Sequence, residues 1–240
     1  MRPAPRERAL AFVGAHGDEA AVLRAEALAG RGAVDRALAA LGAPSSVPEA
    51  LALLGAADDL GGLRSPLAER GVAWAEAAQA EDGSWGDLFA TGMLGGYLGK
   101  TLSVRPRTLE AAGAWLGRAW APERVKGGDW EAIAAFAHFF ANVPHELSDA
   151  ALQWCGRELE RGYRSGAFDA LGAARVLCWC DADAMPGARL GVAELRDAVL
   201  ALQQPDGGWP AAGGSPGARV ARTLDALVAL GRWDRRQARG

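Results

Sequence analysis

Lysine is nearly missing from this chain. Lys100 and Lys126 are the only lysines among 26 basic residues, and the rest are arginines. Cysteine is scarce too, with Cys155, Cys178 and Cys180 the only three in 240 residues. An odd count in a chain long enough to bury a core excludes a disulfide-stapled scaffold and points to reduced thiols. No uncharged apolar run reaches the roughly 18 residues of a membrane span. The opening MRPAPRERALAFVGAHGDEA turns acidic before a long apolar core or a small-residue cleavage site develops. No signal peptide is expected, and the chain reads as cytoplasmic. A net charge of −3 and a pI near 5.7 leave no clustered basic face, which excludes a nucleic-acid partner. Continuous β-branched runs, the mark of strands, are absent as well.

What is present is helical spacing. Half of the residues are hydrophobic, enough for one sizeable core, and 1–240 is taken as a single domain. From residue 65 onward the helical segments alternate between two kinds. Those beginning near 65, 107, 147 and 189 are amphipathic, as in PLAERGVAWAEAAQ and LSDAALQWCGRELERG. Those beginning near 87, 129, 166 and 217 are apolar nearly all round, as in DLFATGMLGGYLGK and GAFDALGAARVLCWC. An all-round apolar helix is buried on both sides. The alternation repeats about every 40 residues, the signature of stacked helical hairpins. Two layers are therefore expected, with apolar helices inside and amphipathic helices outside. Residues 65–232 would form four hairpins, and 1–64 would add three helices near 15–29, 33–42 and 47–57.

QAEDGSW at 79–85 and QQPDGGW at 203–209 share one spacing, Gln-x-x-Asp-Gly-x-Trp. Each falls where an outer helix gives way to an inner one. Asp-Gly supplies the turn. The Gln amide is expected to bond the backbone of the turn and of the following helix start, and the Trp to pack back on the outer helix. Weaker traces, KGGDW at 126–130 and YRSGAF at 163–168, occupy the other two such connections.

These motifs resemble the QW repeats of the prenyltransferase/squalene cyclase superfamily, whose domains are α/α toroids. The stretch QQPDGGWPAAGGSPGARVARTLDALVALG, 203–231, carries the likeness furthest, and it covers about 65–232. The resemblance implies an all-α toroid. It also implies a terpene-cyclase-like enzyme of specialised metabolism that takes an apolar, isoprenoid substrate into a central cavity and starts cyclisation with an acid. The class II acid motif Asp-x-Asp-Asp has its nearest string in DADA, Asp181–Ala184, which lacks the final Asp and ends an inner helix. In the protein prenyltransferases the position before Thr223 is a zinc-binding His, and here it is Arg222. Cys178 and Cys180 lie about 200° apart around a helix and do not converge on a metal. No metal and no cofactor are expected.

The candidate site comes from residues that do not suit burial. On the segment 129–142, Glu131, His138 and Asn142 form a polar stripe opposite an apolar face. Such groups line a cavity or form a satisfied network. Asp169, placed three residues into its helix, and Glu131 are the candidate acids, if an apolar cavity keeps one protonated. Trp130, Phe136, Phe139 and Phe168 would line the substrate space with His138 and Asn142, aromatic faces suiting an isoprenoid or a carbocation. Arg222 would hold an anion such as a diphosphate, or pair with Asp225. Asp87 and Asp129 are read as helix caps. The alternative to the enzyme is a non-catalytic helical-repeat binding protein. A third reading, a toroid acting on glycans, lacks the required acidic clusters.

Overall fold

The computed structural model describes residues 4–237, and among these the chain is all-helical. The extreme ends of the expected 1–240 domain lie outside the described residues. Twelve α-helices follow in order. They are α1 (Pro5–His16), α2 (Glu19–Leu28), α3 (Val34–Ala39), α4 (Val47–Leu60), α5 (Pro66–Ala78), α6 (Leu88–Gly99), α7 (Pro106–Ala119), α8 (Trp130–Asn142), α9 (Ser148–Ser165), α10 (Ala170–Trp179), α11 (Val192–Ala201) and α12 (Pro216–Gln237). None is long and apolar enough to cross a membrane.

Local chemistry explains the boundaries. Asp18, Ser46, Ser65, Asp87, Asp129 and Asp169 each accept a bond from a first-turn N–H of the helix they precede. Such bonds satisfy donors that helix geometry leaves orphaned. Pro48, Pro66 and Pro106 stand in first turns, where no N–H is needed. Asp87 and Asp129 cap as expected. Asp169 does not lie inside its helix; α10 begins at Ala170, one turn later than the sequence suggested, and Asp169 caps it.

Helix packing sorts the elements by parity. The even-numbered helices contact one another in the order α2, α4, α6, α8, α10, α12, and α12 contacts α2 again. The odd-numbered helices lie against them: α3 on α2 and α4, α5 on α4, α7 on α6, α9 on α8, α11 on α10 and α12. Helix α1 rests on α12 and α2. Burial follows the sequence classes. In α10 every residue is buried, and in α6 and α8 the unbroken stretches Ala90–Leu98 and Ala132–Phe140 are. The N-terminal expectation needs correction, because residues 4–60 form four helices. The segment PRERALAFVGAH has little hydrophobic periodicity, yet it buries Ala9, Phe12 and Val13 and forms α1.

The two Gln-x-x-Asp-Gly-x-Trp motifs form clamps with matching hydrogen bonds. The Trp85 indole N–H donates to Ala75 O at 2.7 Å, and that of Trp209 to Val199 O at 2.7 Å. Their backbone N–H groups donate to Thr91 and Thr223 hydroxyls. The Gln79 amide donates to Gly83 O in its own turn and to Thr108 O on α7. The Gln203 amide donates to Gly207 O and to Pro5 O on α1. The second partner is thus the next odd helix, where the sequence suggested the following helix start. By this equivalence α1 stands to the second motif as α7 stands to the first. The trace KGGDW works differently. Trp130 follows its cap instead of preceding it, and its indole donates forward to Gly172 O on α10 at 3.0 Å.

The glycine of each clamp permits a close approach. A Cβ on Gly207, at φ +95°, would lie 2.3 Å from Arg8 O, and one on Gly83, at φ +93°, would lie 2.3 Å from Ala111 O. Gly213 also has positive φ, +73°, but open space around it. Gly213→Ala should cost about 1–2 kcal/mol from backbone conformation alone. Gly207→Ala should cost a further 1–3 kcal/mol or so for the steric conflict with α1. Urea denaturation of the two variants side by side measures the difference.

Candidate functional site

The N-terminal ends of α8, α10 and α12 meet at a cleft of about 470 Å³. Trp130, Phe168, Asp169, Gly172 and Arg222 line it, with Pro210–Ala212 forming one wall. Four residues singled out from sequence, Trp130, Phe168, Asp169 and Arg222, are therefore brought together. The Arg222 guanidinium donates to both Asp169 oxygens, at 2.6 and 2.5 Å, while Asp169 also caps α10. The expected alternative, Arg222 with Asp225, is not the pairing formed.

The remaining candidates lie elsewhere. Glu131 is exposed in the first turn of α8, where the desolvation required of a buried acid is missing. Phe136 and Phe139 are fully buried but face the odd-numbered layer. Phe136 packs edge-on to Trp120 at 4.9 Å, and Phe139 fills the space beside Gly95 and Gly113. Asn142 spends its amide on His138 O and Trp179 O, tying α8 to the end of α10. His138 is fully buried against Gly96, with the Tyr97 ring edge-on at 4.5 Å and Trp179 stacked at 6.2 Å. Neither His138 ring nitrogen has a hydrogen-bond partner. Burial, reinforced by Lys100, Arg175 and Arg232, holds its pKa well below the ordinary value, so the imidazole is neutral. The stripe Glu131–His138–Asn142 therefore does not open onto one shared space.

Between the even helices lies a lattice of ion pairs that the sequence did not announce. Asp59 of α4 is completely buried and accepts from Arg175 of α10 at 3.0 and 3.2 Å and from Arg24 of α2. Arg232 of α12 stands 3.8 Å away. Arg175 reaches on through Nε to Asp225 of α12 at 3.0 Å and lies over the Trp179 ring at 4.9 Å. Toward the C-terminal ends, Lys100 and Arg232 share Asp58 and Asp181. Arg232 also donates to Cys178 O and Asp58 O, offsetting the negative ends of α10 and α4. Four carboxylates thus face four cations across α2, α4, α6, α10 and α12.

The two carboxyls that share Arg175 respond in opposite directions. Burial pushes Asp59 up, but Arg175 and Arg24 outweigh it and hold the carboxyl below the usual range. For Asp225, burial wins over Arg175, with Asp59 adding repulsion, and the carboxyl is raised. Its side chain keeps 30% of its exposure, three residues after Arg222 on α12. Burial also raises the thiols, to about 11 at Cys178 and about 12 at Cys180. These are inert packing groups. Among the described residues, no three His, Cys, Asp or Glu side chains gather as a metal-holding set.

Compared with known protein families, with curated proteins and with solved structures, the chain matches none of them.

Proposed function

We propose that this chain is an α/α toroid whose function is to bind a small apolar ligand, without transforming it, in the cleft formed by Trp130, Phe168 and Arg222. The observation that carries this reading is the lattice around Asp59. Cyclisation of an isoprenoid needs an apolar chamber between the inner helices. Here that space holds carboxylates and guanidinium groups paired at close range. The return of helix contacts from α12 to α2, and the matching clamps on α7 and α1, support the toroid. The cleft offers two aromatic faces and one polar edge, the Arg222–Asp169 ion pair, which suits an apolar body with a polar head.

A second reading has one observation in its favour. Asp225 is a carboxyl raised by burial, three residues after Arg222 on α12. An acid of that kind could protonate an alkene. Farnesol, an apolar isoprenoid alcohol, distinguishes the two. Trp130→Ala and Phe168→Ala should each weaken farnesol binding by about ten-fold, the loss of one buried aromatic contact. Asp225→Asn and Glu131→Gln should leave it unchanged, and farnesol should be recovered intact. Recovery of a cyclised product that Asp225→Asn abolishes would replace binding by catalysis. Unaltered affinity in both aromatic variants would remove the cleft from either reading.

A further inference from the structure

The opposite end of the even helices carries a different chemistry. The C-terminal ends of α2, α4 and α12 and the residue following α10 surround a cavity of about 390 Å³. Asp58, Asp181, Arg232 and Arg235 line it, with Leu28 and Leu60 as an apolar wall. Behind Asp58 and Asp181 stands Lys100, so two nearly buried cations, Lys100 and Arg232, lie side by side. Their side chains are 8% and 12% exposed.

Two carboxylates hold this cation pair. Asp58, deep in α4, accepts from Lys100 at 3.1 Å and from Arg232 at 2.9 Å. Asp181 bridges the same two groups from the cavity side, at 2.9 and 2.5 Å. Asp181 differs from its counterpart in three ways. Its side chain is 53% exposed against 7% for Asp58. It belongs to no helix, lying just after the Cys180 cap on the segment that leads to α11. Its φ is +49°, the only positive value at a non-glycine among the described residues. A left-handed backbone at an L-residue is held against a local cost.

Counting charges identifies what could replace it. With Asp181 withdrawn, Lys100 and Arg232 share one close carboxylate, Asp58, while Asp59 serves Arg175 and Arg24. One buried positive charge is then uncompensated, which is strongly unfavourable. A single negative charge restores the balance, and a planar carboxylate matches both the guanidinium fork and the point charge of the ammonium. We propose that this cavity is a binding site for a small monocarboxylate with a short apolar body. The carboxylate takes the place of the Asp181 side chain between Lys100 and Arg232, and the apolar body lies against Leu28 and Leu60. Asp181 is the intramolecular competitor for the site. Inorganic phosphate would leave the leucine wall unused, so it binds more weakly. The proposal is independent of what occupies the cleft at the other end.

Hexanoate is the probe. Calorimetric titration of the wild type, Asp181→Asn and the double variant Lys100→Met/Asp181→Asn tests competition directly. Asn tolerates the left-handed backbone and removes the charge. If Asp181 fills the site nine-tenths of the time or more, its removal should tighten hexanoate binding by about ten-fold or more. The double variant should lose that gain, and inorganic phosphate should bind Asp181→Asn more weakly than hexanoate does. A folded Asp181→Asn protein that binds no tighter than the wild type would overturn the proposal, as would equal binding by the double variant. Wild-type protein alone supplies a second readout. At the highest soluble hexanoate concentration, amide exchange at 181–184 should accelerate while the C-terminal turn of α4 stays protected. Unchanged exchange there would overturn the proposal even if Asp181→Asn did not fold.

Discussion

Asp59→Asn should lower the unfolding free energy by about 3–5 kcal/mol, the cost of leaving a buried ion pair without one partner. Asp59 has no solvent exposure and is the shared anion of Arg175 and Arg24, with Arg232 close by. An amide there still accepts one bond but removes the charge that Arg24 pairs with and leaves Arg175 with Asp225 alone. Arg175→Met should also destabilise, and the double variant should cost less than the two singles together, because each removes the other's orphan. The pH dependence has a definite sign. The folded carboxyl lies below the ordinary aspartate value of about 3.9. The unfolded chain therefore binds the proton first. The contribution is complete above pH 4 or so and is lost as the pH falls through the folded-state value. Urea midpoints measured downward from neutral pH should fall more steeply for the wild type than for Asp59→Asn. Parallel curves would mean that Asp59 does not carry the charge that orders α4 against α10.

Trp209→Ala should cost about 3–5 kcal/mol, the usual range for deleting a large buried ring. Trp209 has no solvent exposure, and its indole N–H satisfies the Val199 carbonyl. Trp85→Ala removes the same geometry from the first clamp and should cost a similar amount. The two variants should differ in what they release. The second clamp holds α1 through Gln203, which donates to Pro5 O and accepts from Arg8 at 2.5 Å. Phe12 of α1 also packs close over Gly208. Hydrogen exchange in α1 should accelerate in Trp209→Ala and stay near wild type in Trp85→Ala, whose clamp instead holds α7. Equal protection of α1 in both variants would show that the second motif does not anchor the N-terminal helix.

The sequence by itself determined the class of structure and the points where its layers connect. Apolar helices alternating with amphipathic ones could be buried in only one way, and 88–99, 130–142, 170–179 and 216–237 lie where the pattern put their helices, within a few residues. The clamps were legible because Gln, Asp-Gly and Trp act on backbone atoms only a few residues away, so their spacing records their geometry. Helix α1 was not legible, because its burial depends on α12 and α2, far from it along the chain, and not on any periodicity of its own. The polar stripe of 129–142 left a cavity lining and a satisfied network both open, and Asn142 takes the second course through its bonds to His138 O and Trp179 O. Burial of His138 and exposure of Glu131 follow from where α8 begins and from what α6 and α10 place beside it.

Only the tertiary structure decided the chemistry between the helices. The signal for it was isolated charge within apolar helices, Asp58 and Asp59 in ALALLGAADDL and Arg175 in ALGAARVLCW, with Asp59 and Arg175 116 positions apart in the chain. A buried charge needs a partner, but sequence cannot say which of 26 basic residues supplies it. The pairing of Arg222 with Asp169 instead of Asp225, and of Asp225 with Arg175, was likewise settled by which helix ends meet. Ion pairs depend on distance in space, and distances between helices far apart in the chain exist only once the chain has folded.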